Sequence, residues 1–337
     1  MIKSVRFRNF KALRHTTLPL QQFTLIVGPN GSGKSTALQA LKAVGRNEPL
    51  DDFASVVPAG SEDREKDTIE IVVQWGPPYD GAEIGRCYSP QVTTDSFCFD
   101  GYGRQDAELE TILRNDLATI RIYALDPRAA AAQAQILPRA TLGEDGSNLA
   151  AVIENLRDHE PEKFEALNAE IQNWLPEFDR VLLDSLVPGQ KALFLRMRGT
   201  PHRIAAAHLS HGSLIALTIL TLAHLPNPPA IMCFEEPDRG IHPRLLRDVR
   251  DALYRLSYPE GSGEKRQPVQ VIATTHSPYL LDLFKDRPEE VVIADRHGQD
   301  VQFERLSDRD DLDEILGDAQ LGDAWYSGVL GGVPSSP

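Results

Sequence analysis

Cysteine is scarce in this sequence, and the few that occur follow no structural pattern. The cysteines are Cys87, Cys98 and Cys233. Their odd number is too low for a disulfide framework, and none belongs to the CxxC spacing of a structural zinc site. We therefore expect reduced thiols.

Long apolar runs are absent as well. The longest, residues 214–225, is interrupted by Thr218, Thr221 and His224, and it is shorter than the roughly 20 apolar residues that a membrane span needs. The opening sequence MIKSVRFRNFKAL alternates basic and apolar residues and lacks the apolar centre of a secretory signal. We expect a cytoplasmic protein without a membrane partner.

Basic residues are outnumbered by acidic ones. The chain has 337 residues, with 35 Lys plus Arg, 49 Asp plus Glu, and a net charge of −14. This balance argues against a uniformly basic nucleic-acid sleeve and against docking on anionic lipid, but it leaves room for a local basic patch. The content of 41% hydrophobic and 25% charged residues is typical of a globular chain.

Apolar patterning predicts a mixed α/β chain. Residues 23–28 form a continuous apolar run that suits a buried strand, and residues 34–44 have helical spacing with a predicted end at Gly45. Residues 126–225 read as mostly helical. Further strands are predicted at residues 3–9, 68–75, 84–99, 119–125, 230–234, 269–274, 290–294 and 300–305, and further helices at 107–118 and 243–257.

A glycine-rich phosphate loop lies between the first buried strand and the first helix. Residues 28–36, GPNGSGKST, match G-x-x-x-x-G-K-[ST]. The glycines let backbone N–H groups curl around an anion at the helix start, Lys34 can reach the β and γ phosphates, and Ser35 can bind magnesium. The predicted ATP-binding residues are Gly28, Pro29, Asn30, Gly31, Ser32, Gly33, Lys34, Ser35 and Thr36.

Two adjacent carboxylates follow the buried strand in AIMCFEEPD, residues 230–238. In a phosphate-loop fold, Glu235 would hold magnesium directly or through water, and Glu236 would accept a proton from the attacking water. The alternative is an exposed acidic turn before Pro237.

Three more motifs carry a resemblance to a known family. They are LSHGS at residues 209–213, PDRGIHP at 237–243 and TTHSPYL at 274–280. With the phosphate loop and the opening IKSVRFRNFKAL, they resemble the ABC-type ATPases of the SMC, RecF and OLD group over essentially all of residues 1–295. The resemblance implies a P-loop NTPase fold, an ABC-ATPase head in which a mixed β-sheet lobe carries an inserted helical lobe.

The resemblance also implies residue roles. Ser210 and Gly212 fall on the signature motif, whose helix start would bind the γ-phosphate of an ATP held by the opposite subunit, so that two ATP molecules lie within a head-to-tail homodimer. Asp238 falls on the D-loop at that interface. His276 falls on the switch histidine, which contacts the γ-phosphate and the attacking water; the alternative is a structural histidine at a strand end.

The implied domain organisation has three parts. Residues 1–125 and 230–307 form a nucleotide-binding lobe with an antiparallel flap near 67–102, residues 126–229 form a helical lobe with the signature motif, and residues 308–337 form a tail. The tail sequence WYSGVLGG, residues 325–332, resembles the ending of stand-alone ATPases encoded beside a TOPRIM-type nuclease in bacterial defence operons. The alternative is a tail that folds back on its own sheet edge.

The sequence departs from the family pattern at two places. His211 stands where these ATPases often carry a small or acidic residue. No Q-loop glutamine is evident, since only Gln133 and Gln135 follow the strand predicted at 119–125, and Gln74 reads as a strand residue.

Two basic clusters could contact DNA phosphates or be ordinary solvated surface. The first comprises Lys3, Arg6, Arg8, Lys11 and Arg14, and the second comprises Arg239, Arg244, Arg247, Arg250 and Arg255.

These features predict a magnesium-dependent ATPase. ATP binding and hydrolysis by a dimer would control DNA or a partner effector, such as a TOPRIM-type nuclease, in bacterial genome maintenance or anti-phage defence. The alternatives are the ATPase subunit of a membrane transporter and an assembly protein in which ATP is a clamp that is not hydrolysed.

Overall fold

The computed structural model describes residues 1–46, 68–89, 93–99, 107–318 and 320–331. The strands are β1 (Ile2–Phe10), β2 (Leu13–Pro19), β3 (Phe23–Val27), β4 (Ile69–Trp75), β5 (Ala82–Tyr88), β6 (Thr93–Phe99), β7 (Arg121–Tyr123), β8 (Ala134–Gln135), β9 (Phe178–Asp184), β10 (Gln190–Met197), β11 (Arg203–Ala205), β12 (Ile231–Glu235), β13 (Gln270–Thr275), β14 (Val291–His297) and β15 (Asp300–Arg305). The helices are α1 (Lys34–Arg46), α2 (Ala107–Ala118), α3 (Pro127–Ala130), α4 (Leu149–His159), α5 (Pro161–Trp174), α6 (His211–Ala223), α7 (Leu246–Ser257), α8 (Pro278–Leu281), α9 (Leu312–Asp318) and α10 (Leu321–Tyr326).

The chain forms two compact units. Unit 1 comprises Met1–Ile122, Pro229–Cys233 and Gln267–Pro337, and unit 2 comprises Tyr123–Pro228 and Phe234–Arg266. The chain therefore passes into unit 2 within β7 and again within β12. The predicted lobes placed residues 234–266 with the nucleotide-binding lobe, whereas the structure assigns them to unit 2, where α7 packs on α6. The functional assignment of the lobes stays a prediction.

Unit 1 contains an antiparallel sheet in the order β2-β1-β4-β5-β6. The alternation in the middle of β1 buries Val5 and Phe7 on one face and exposes Arg6 and Arg8 on the other. Within the range of the predicted antiparallel flap, β4, β5 and β6 pair in antiparallel order, with Ala82 on β5 opposite Phe99 on β6. Residues 67, 90–92 and 100–102 of that prediction lie outside the described residues.

A second sheet in unit 1 has the order β15-β14-β3-β13-β12-β7. Strand β3 pairs in parallel with both β13 and β14, and all five of its residues are buried. A strand covered on both faces needs apolar side chains at every position, which is why the run showed no alternation. Because parallel strands end at the same edge, the segments that follow β3, β13 and β14 are neighbours.

Helix α1 continues past the predicted end at Gly45 to Arg46. A Cβ at Gly45 would lie 2.2 Å from the carbonyl oxygen of Leu117 at the end of α2. Gly45 therefore lies inside the helix and lets α1 and α2 approach closely, and it is not the C-terminal cap that the sequence predicts.

Unit 2 combines helices with an antiparallel β structure that the sequence did not reveal. Strand β10 pairs with β8, β9 and β11 inside the segment predicted as mostly helical. Four consecutive residues of β10, Ala192 to Leu195, are buried, so the alternation typical of a strand is missing. Helix α6 is buried on every side from Ser213 onward, as expected for a helix that is apolar all round.

The C-terminal segment of unit 1 packs on α8. The backbone N–H of Gly322 donates to Asp282 Oδ1 over 2.6 Å, and Leu321 and Leu330 are fully buried. A Cβ at Gly322 would lie 2.7 Å from the carbonyl oxygen of Pro278. Among the described helices, none combines the length and the apolar character needed to cross a membrane.

Candidate nucleotide-binding site

The phosphate loop leaves β3 at Gly28 and enters α1 at Lys34. Gly31 and Gly33 have φ values of 78° and 84°, in the left-handed region that glycine adopts without steric cost. The N–H of Ala37 donates to the carbonyl oxygen of Gly33 over 2.9 Å, which begins the helical hydrogen bonding. The loop therefore turns tightly and presents its backbone at the start of a helix.

Gly28 is required by its surroundings. A Cβ there would lie 2.4 Å from the carbonyl oxygen of Ala294 and 2.5 Å from Ser32 Oγ. The first glycine of the motif thus allows the loop to sit directly against the end of β14.

Lys34 holds its ammonium group inside the loop. The residue is 6% exposed, and Nζ donates to the carbonyl oxygens of Gly28 and Pro29 over 2.7 and 2.9 Å and to Ser32 Oγ over 3.3 Å. Ser35, the next residue, is exposed at the first turn of α1. A buried cation within a curl of backbone, beside an exposed hydroxyl, fits a magnesium-bound triphosphate.

His276 follows the strand beside the phosphate loop. In the parallel pairing of β3 and β13, Val27 lies opposite Thr275, so Gly28 and His276 leave adjacent strands at the same edge. Thr275 Oγ1 accepts from the N–H of Ser277 over 2.9 Å, and Ser277 caps α8. His276 is therefore held in an ordered, half-buried turn. We call residues 28–36 with His276 the phosphate-loop half-site.

Asp295 was missed by the sequence reasoning. Strand β14 also runs parallel to β3, with Ile293 opposite Val27, which brings Asp295 to the same edge. Its Oδ1 accepts from the N–H of Arg296 over 2.8 Å. The available signal was an acidic residue directly after the apolar run of residues 291–294.

Of the two predicted carboxylates, Glu235 ends β12 and Glu236 follows it, and both belong to unit 2. Glu235 and Glu236 are both half-buried. Glu236 has a φ of 47°, a conformation that costs a non-glycine residue roughly 1–2 kcal/mol. Its carbonyl oxygen accepts from the N–H of Arg239 over 2.9 Å, which closes a turn immediately after the strand.

The signature motif forms the start of α6. Ser210 is the N-cap, and its Oγ accepts from the N–H of Ser213 over 3.1 Å. The Ser210 and Ser213 hydroxyls are 2.7 Å apart. His211 is exposed in the first helical turn. The role of Ser213, which is buried and pairs with the cap, could not be seen from the motif alone.

Gly212 joins this helix start to the loop that carries Asp238. A Cβ at Gly212 would lie 2.4 Å from the carbonyl oxygen of Gly240, so the two backbones are in direct contact. The loop turns again at Asp238, whose carbonyl oxygen accepts from the N–H of Ile241 over 3.1 Å. We call residues 210–213 with residues 238–241 the signature half-site; it lies within unit 2.

Among the residues that the structure describes, none of the glutamines considered from the sequence is assigned to a Q-loop. Gln133 and Gln135 are exposed, and Gln135 pairs with Gln190 in the β8–β10 ladder. Gln74 lies in β4, where its Oε1 accepts from Ser4 Oγ over 3.1 Å, a structural contact between neighbouring strands.

The N-terminal basic cluster is partly neutralised. Arg6 and Arg8 are exposed on β1, but Glu83 Oε2 lies 3.6 Å from Arg6 Nη2. Glu70 on β4 lies opposite Arg8 in the register. This face of the sheet is therefore mixed in charge.

The second basic cluster divides into two groups. Arg250 pairs with Asp251 over 2.6 Å, and Arg255 pairs with Glu170. The remaining members are exposed, and no ion pair to them is found within the described part of the chain; they are Arg239, Arg244 and Arg247.

A partly buried ionic junction joins the far ends of α6 and α7 to α5. His224 Nε2 lies 3.4 Å from Glu170 Oε1, and Arg255 Nη2 donates to Glu170 Oε2 over 3.1 Å. Burial opposes ionisation of Glu170, but the hydrogen bonds from His224 and Arg255 and their charges outweigh it, so its pKa falls to about 2. The junction fixes the helix whose other end carries the signature half-site.

Two family models match this chain. The model described as "AAA ATPase domain" matches residues 1–178, and the model described as "AAA domain, putative AbiEii toxin, Type IV TA system" matches residues 99–282. Each covers more than half of the chain, and the chain therefore belongs to the AAA ATPase domain family, as an ATPase of the SMC, RecF and OLD type.

Three individual proteins are similar to parts or most of this chain. Over 81 residues, 23% of this chain, the sequence is 41% identical to the OLD nuclease of Thermus scotoductus, and the match spans 15% of that protein. The SMC head domain from Thermotoga maritima superposes with a TM-score of 0.52 at 16% identity, covering 90% of this chain and 98% of that one. This likeness confirms the predicted ABC-type P-loop fold. A structure of the recombination mediator RecF has a TM-score of 0.47 at 10% identity, with the same coverage.

Proposed function

We propose that this chain binds ATP with magnesium and hydrolyses it in a head-to-tail homodimer. The observation that carries the proposal is the phosphate loop, in which the buried Lys34 ammonium is held by loop oxygens beside the exposed Ser35 hydroxyl. Membership of an ATPase family supports the same chemistry.

Each residue of the phosphate-loop half-site then has a role. The backbone of residues 28–33 and the Lys34 ammonium bind the phosphates, and Ser35 with Glu235 would hold magnesium, which supplies positive charge to the β and γ phosphates when bound. His276 would contact the γ-phosphate. The loop geometry supports the assignment of the loop backbone to the phosphates because it requires glycine at Gly28, Gly31 and Gly33.

Hydrolysis assigns a separate role to Glu236. The oxygen of a water molecule bonds to the γ-phosphorus while the bond from that phosphorus to the bridging oxygen breaks. ADP takes the electron pair of the broken bond, and the water proton passes to the Glu236 carboxylate.

The signature half-site would complete the nucleotide site of the other copy. Ser210, Gly212 and Asp238 lie at or beside the N-terminal end of α6, a 13-residue helix whose start favours anions. In a head-to-tail dimer this end faces the γ-phosphate bound by the partner subunit. ATP would thereby join two copies of the chain.

ATP binding by Lys34 can be tested by substitution. Lys34→Ala should bind a fluorescent ATP analogue at least tenfold more weakly, because the buried ammonium that meets the phosphates is lost. Lys3→Ala removes an exposed lysine of unit 1 and should bind like the wild type. Equal affinity in both variants would remove the phosphate loop from the proposal.

We further propose that the ATP state controls DNA or a partner effector, such as a TOPRIM-type nuclease, in bacterial genome maintenance or anti-phage defence. The short match to a protein named OLD nuclease supports a nucleic-acid setting. A partner-mediated contact fits the net charge of −14 and the neutralised β1 face better than direct DNA binding does.

Two alternatives have distinct outcomes. A transporter ATPase subunit would co-purify with membrane proteins. A non-hydrolytic clamp would bind ATP tightly and release no phosphate in the presence of DNA and partner proteins.

A further inference from the structure

We propose that Arg239 is a further catalytic residue, supplied by one copy of the chain to the ATP bound by its partner. The inference rests on the proposed head-to-tail dimer. In that dimer, the guanidinium of Arg239 in one copy would contact the phosphates of the ATP bound by the other copy.

The backbone of Arg239 is fixed by three consecutive constraints. Its N–H donates to the carbonyl oxygen of Glu236 over 2.9 Å, and the next turn joins Asp238 to Ile241. Gly240, the residue that follows, has a φ of 73° and touches Gly212 in the first turn of α6. Arg239 is therefore anchored beside the anion-favouring end of that helix.

The charge of Arg239 is available to a ligand. The residue is exposed, and within the described residues no carboxylate forms an ion pair with it. Arg250 and Arg255, from the same sequence cluster, are instead occupied by Asp251 and Glu170. Because the backbone of Arg239 is already ordered and no carboxylate pairs with it among the described residues, binding to phosphate requires only the ordering of its side chain.

The other exposed arginines of the cluster differ in position. Arg244 and Arg247 lie farther along the chain, in the helical segment that begins at Pro243. Asp248, on α7, interacts electrostatically with both. Only Arg239 lies in the loop that contacts Gly212, which makes Arg247 a matched control.

The chemistry favours arginine at this point. Negative charge grows on the bridging oxygen as the bond to the γ-phosphorus breaks, and a guanidinium can bind two phosphate oxygens at once. Arg239→Ala should therefore lower the rate of phosphate release at least tenfold while ATP still binds, because Lys34 is unchanged. Arg247→Ala should hydrolyse ATP at the wild-type rate.

A mixing experiment tests whether Arg239 acts on the partner's ATP. Arg239→Ala and Glu236→Gln are each inactive in the proposal, and they are mixed in equal amounts before ATP and magnesium are added. A mixed dimer has one site with an intact Glu236 that faces an intact Arg239. Random pairing then restores about a quarter of the wild-type rate.

The outcomes separate this inference from the proposed function. Recovery in the mixture supports the assignment. A wild-type rate for Arg239→Ala alone overturns it, as does a slow mixture, which would place the arginine in its own subunit's site. If the wild type itself releases no phosphate, the proposed hydrolysis fails before Arg239 is tested.

Discussion

At the residue scale, two substitutions of Glu236 should have the same effect on ATP hydrolysis and different effects on the stability of the fold, because of the backbone conformation of this residue. A φ of 47° is unfavourable for most side chains, and asparagine tolerates it better than glutamine does. Glu236→Asn and Glu236→Gln both remove the carboxylate, so neither should hydrolyse ATP. We expect the asparagine variant to be more stable by about 1 kcal/mol in urea unfolding.

The matched pair at Glu235 provides the control. Glu235 precedes the turn, and its φ is not in the left-handed region. Glu235→Asn and Glu235→Gln should therefore show no such advantage for asparagine. An equal advantage at both positions would mean that backbone strain at Glu236 is not the cause.

Individual site residues differed in how far the sequence could predict them. The phosphate loop was predictable because its glycines and lysine serve a local function at fixed spacing. Ser213, Gly240 and Asp295 were not, because their roles depend on contacts between segments that are distant in sequence. No local pattern records that Gly212 touches Gly240.

At the scale of elements, the contact between Gly212 and Gly240 couples α6 to the loop of Asp238. Gly212→Ala would place a Cβ 2.4 Å from a backbone oxygen, and overpacking of this kind costs about 2 kcal/mol. We expect lower stability and at least a tenfold loss of phosphate release. Thermal unfolding and a phosphate assay measure both effects.

Gly261 is the matched position in unit 2. A Cβ there would meet no atom within 4 Å, so Gly261→Ala should retain wild-type stability and activity. If Gly212→Ala behaves like Gly261→Ala, the loop and the helix start are not rigidly coupled.

The ionic junction of α5, α6 and α7 predicts a pH-dependent stability. The folded pKa of Glu170 is about 2, below its ordinary value of 4.5. The stabilisation is thus present above about pH 4.5 and is lost as the pH falls towards 2. Glu170→Gln should cost about 2 kcal/mol near neutral pH, and its difference from the wild type should shrink as the pH falls through this window.

Urea unfolding of Glu170→Gln and of the wild type at each pH measures this difference. A substitution of Glu165, on the same helix, serves as the control. Its pair with Arg180 is exposed on both sides, so Glu165→Gln should change stability by less than about 1 kcal/mol. A constant Glu170→Gln penalty at every pH in this window would show that its charge is not what stabilises the junction.

Helices and strands were predictable where the spacing of their apolar residues is regular over the whole element. The buried β3 and the amphipathic α4 and α5 followed directly from apolar spacing. Strand β10 was missed because its buried run, Ala192 to Leu195, lacks alternation. The end of α1 was misplaced because Gly45 serves a contact with α2.

At the scale of the whole molecule, two half-sites are built in different units. The phosphate-loop half-site belongs to unit 1 and the signature half-site to unit 2. In the proposed dimer each nucleotide site combines the phosphate-loop half-site of one copy with the signature half-site of the other. The net charge of −14 opposes association of two copies, so assembly should require ATP.

The oligomeric state of Glu236→Gln tests this central claim most directly. Sedimentation velocity would be measured on this variant with magnesium, in the presence and absence of ATP. The proposal predicts a monomer without ATP and a stable dimer with it, since ATP is bound but not hydrolysed. A variant that binds ATP and remains monomeric would contradict the ATP-joined dimer.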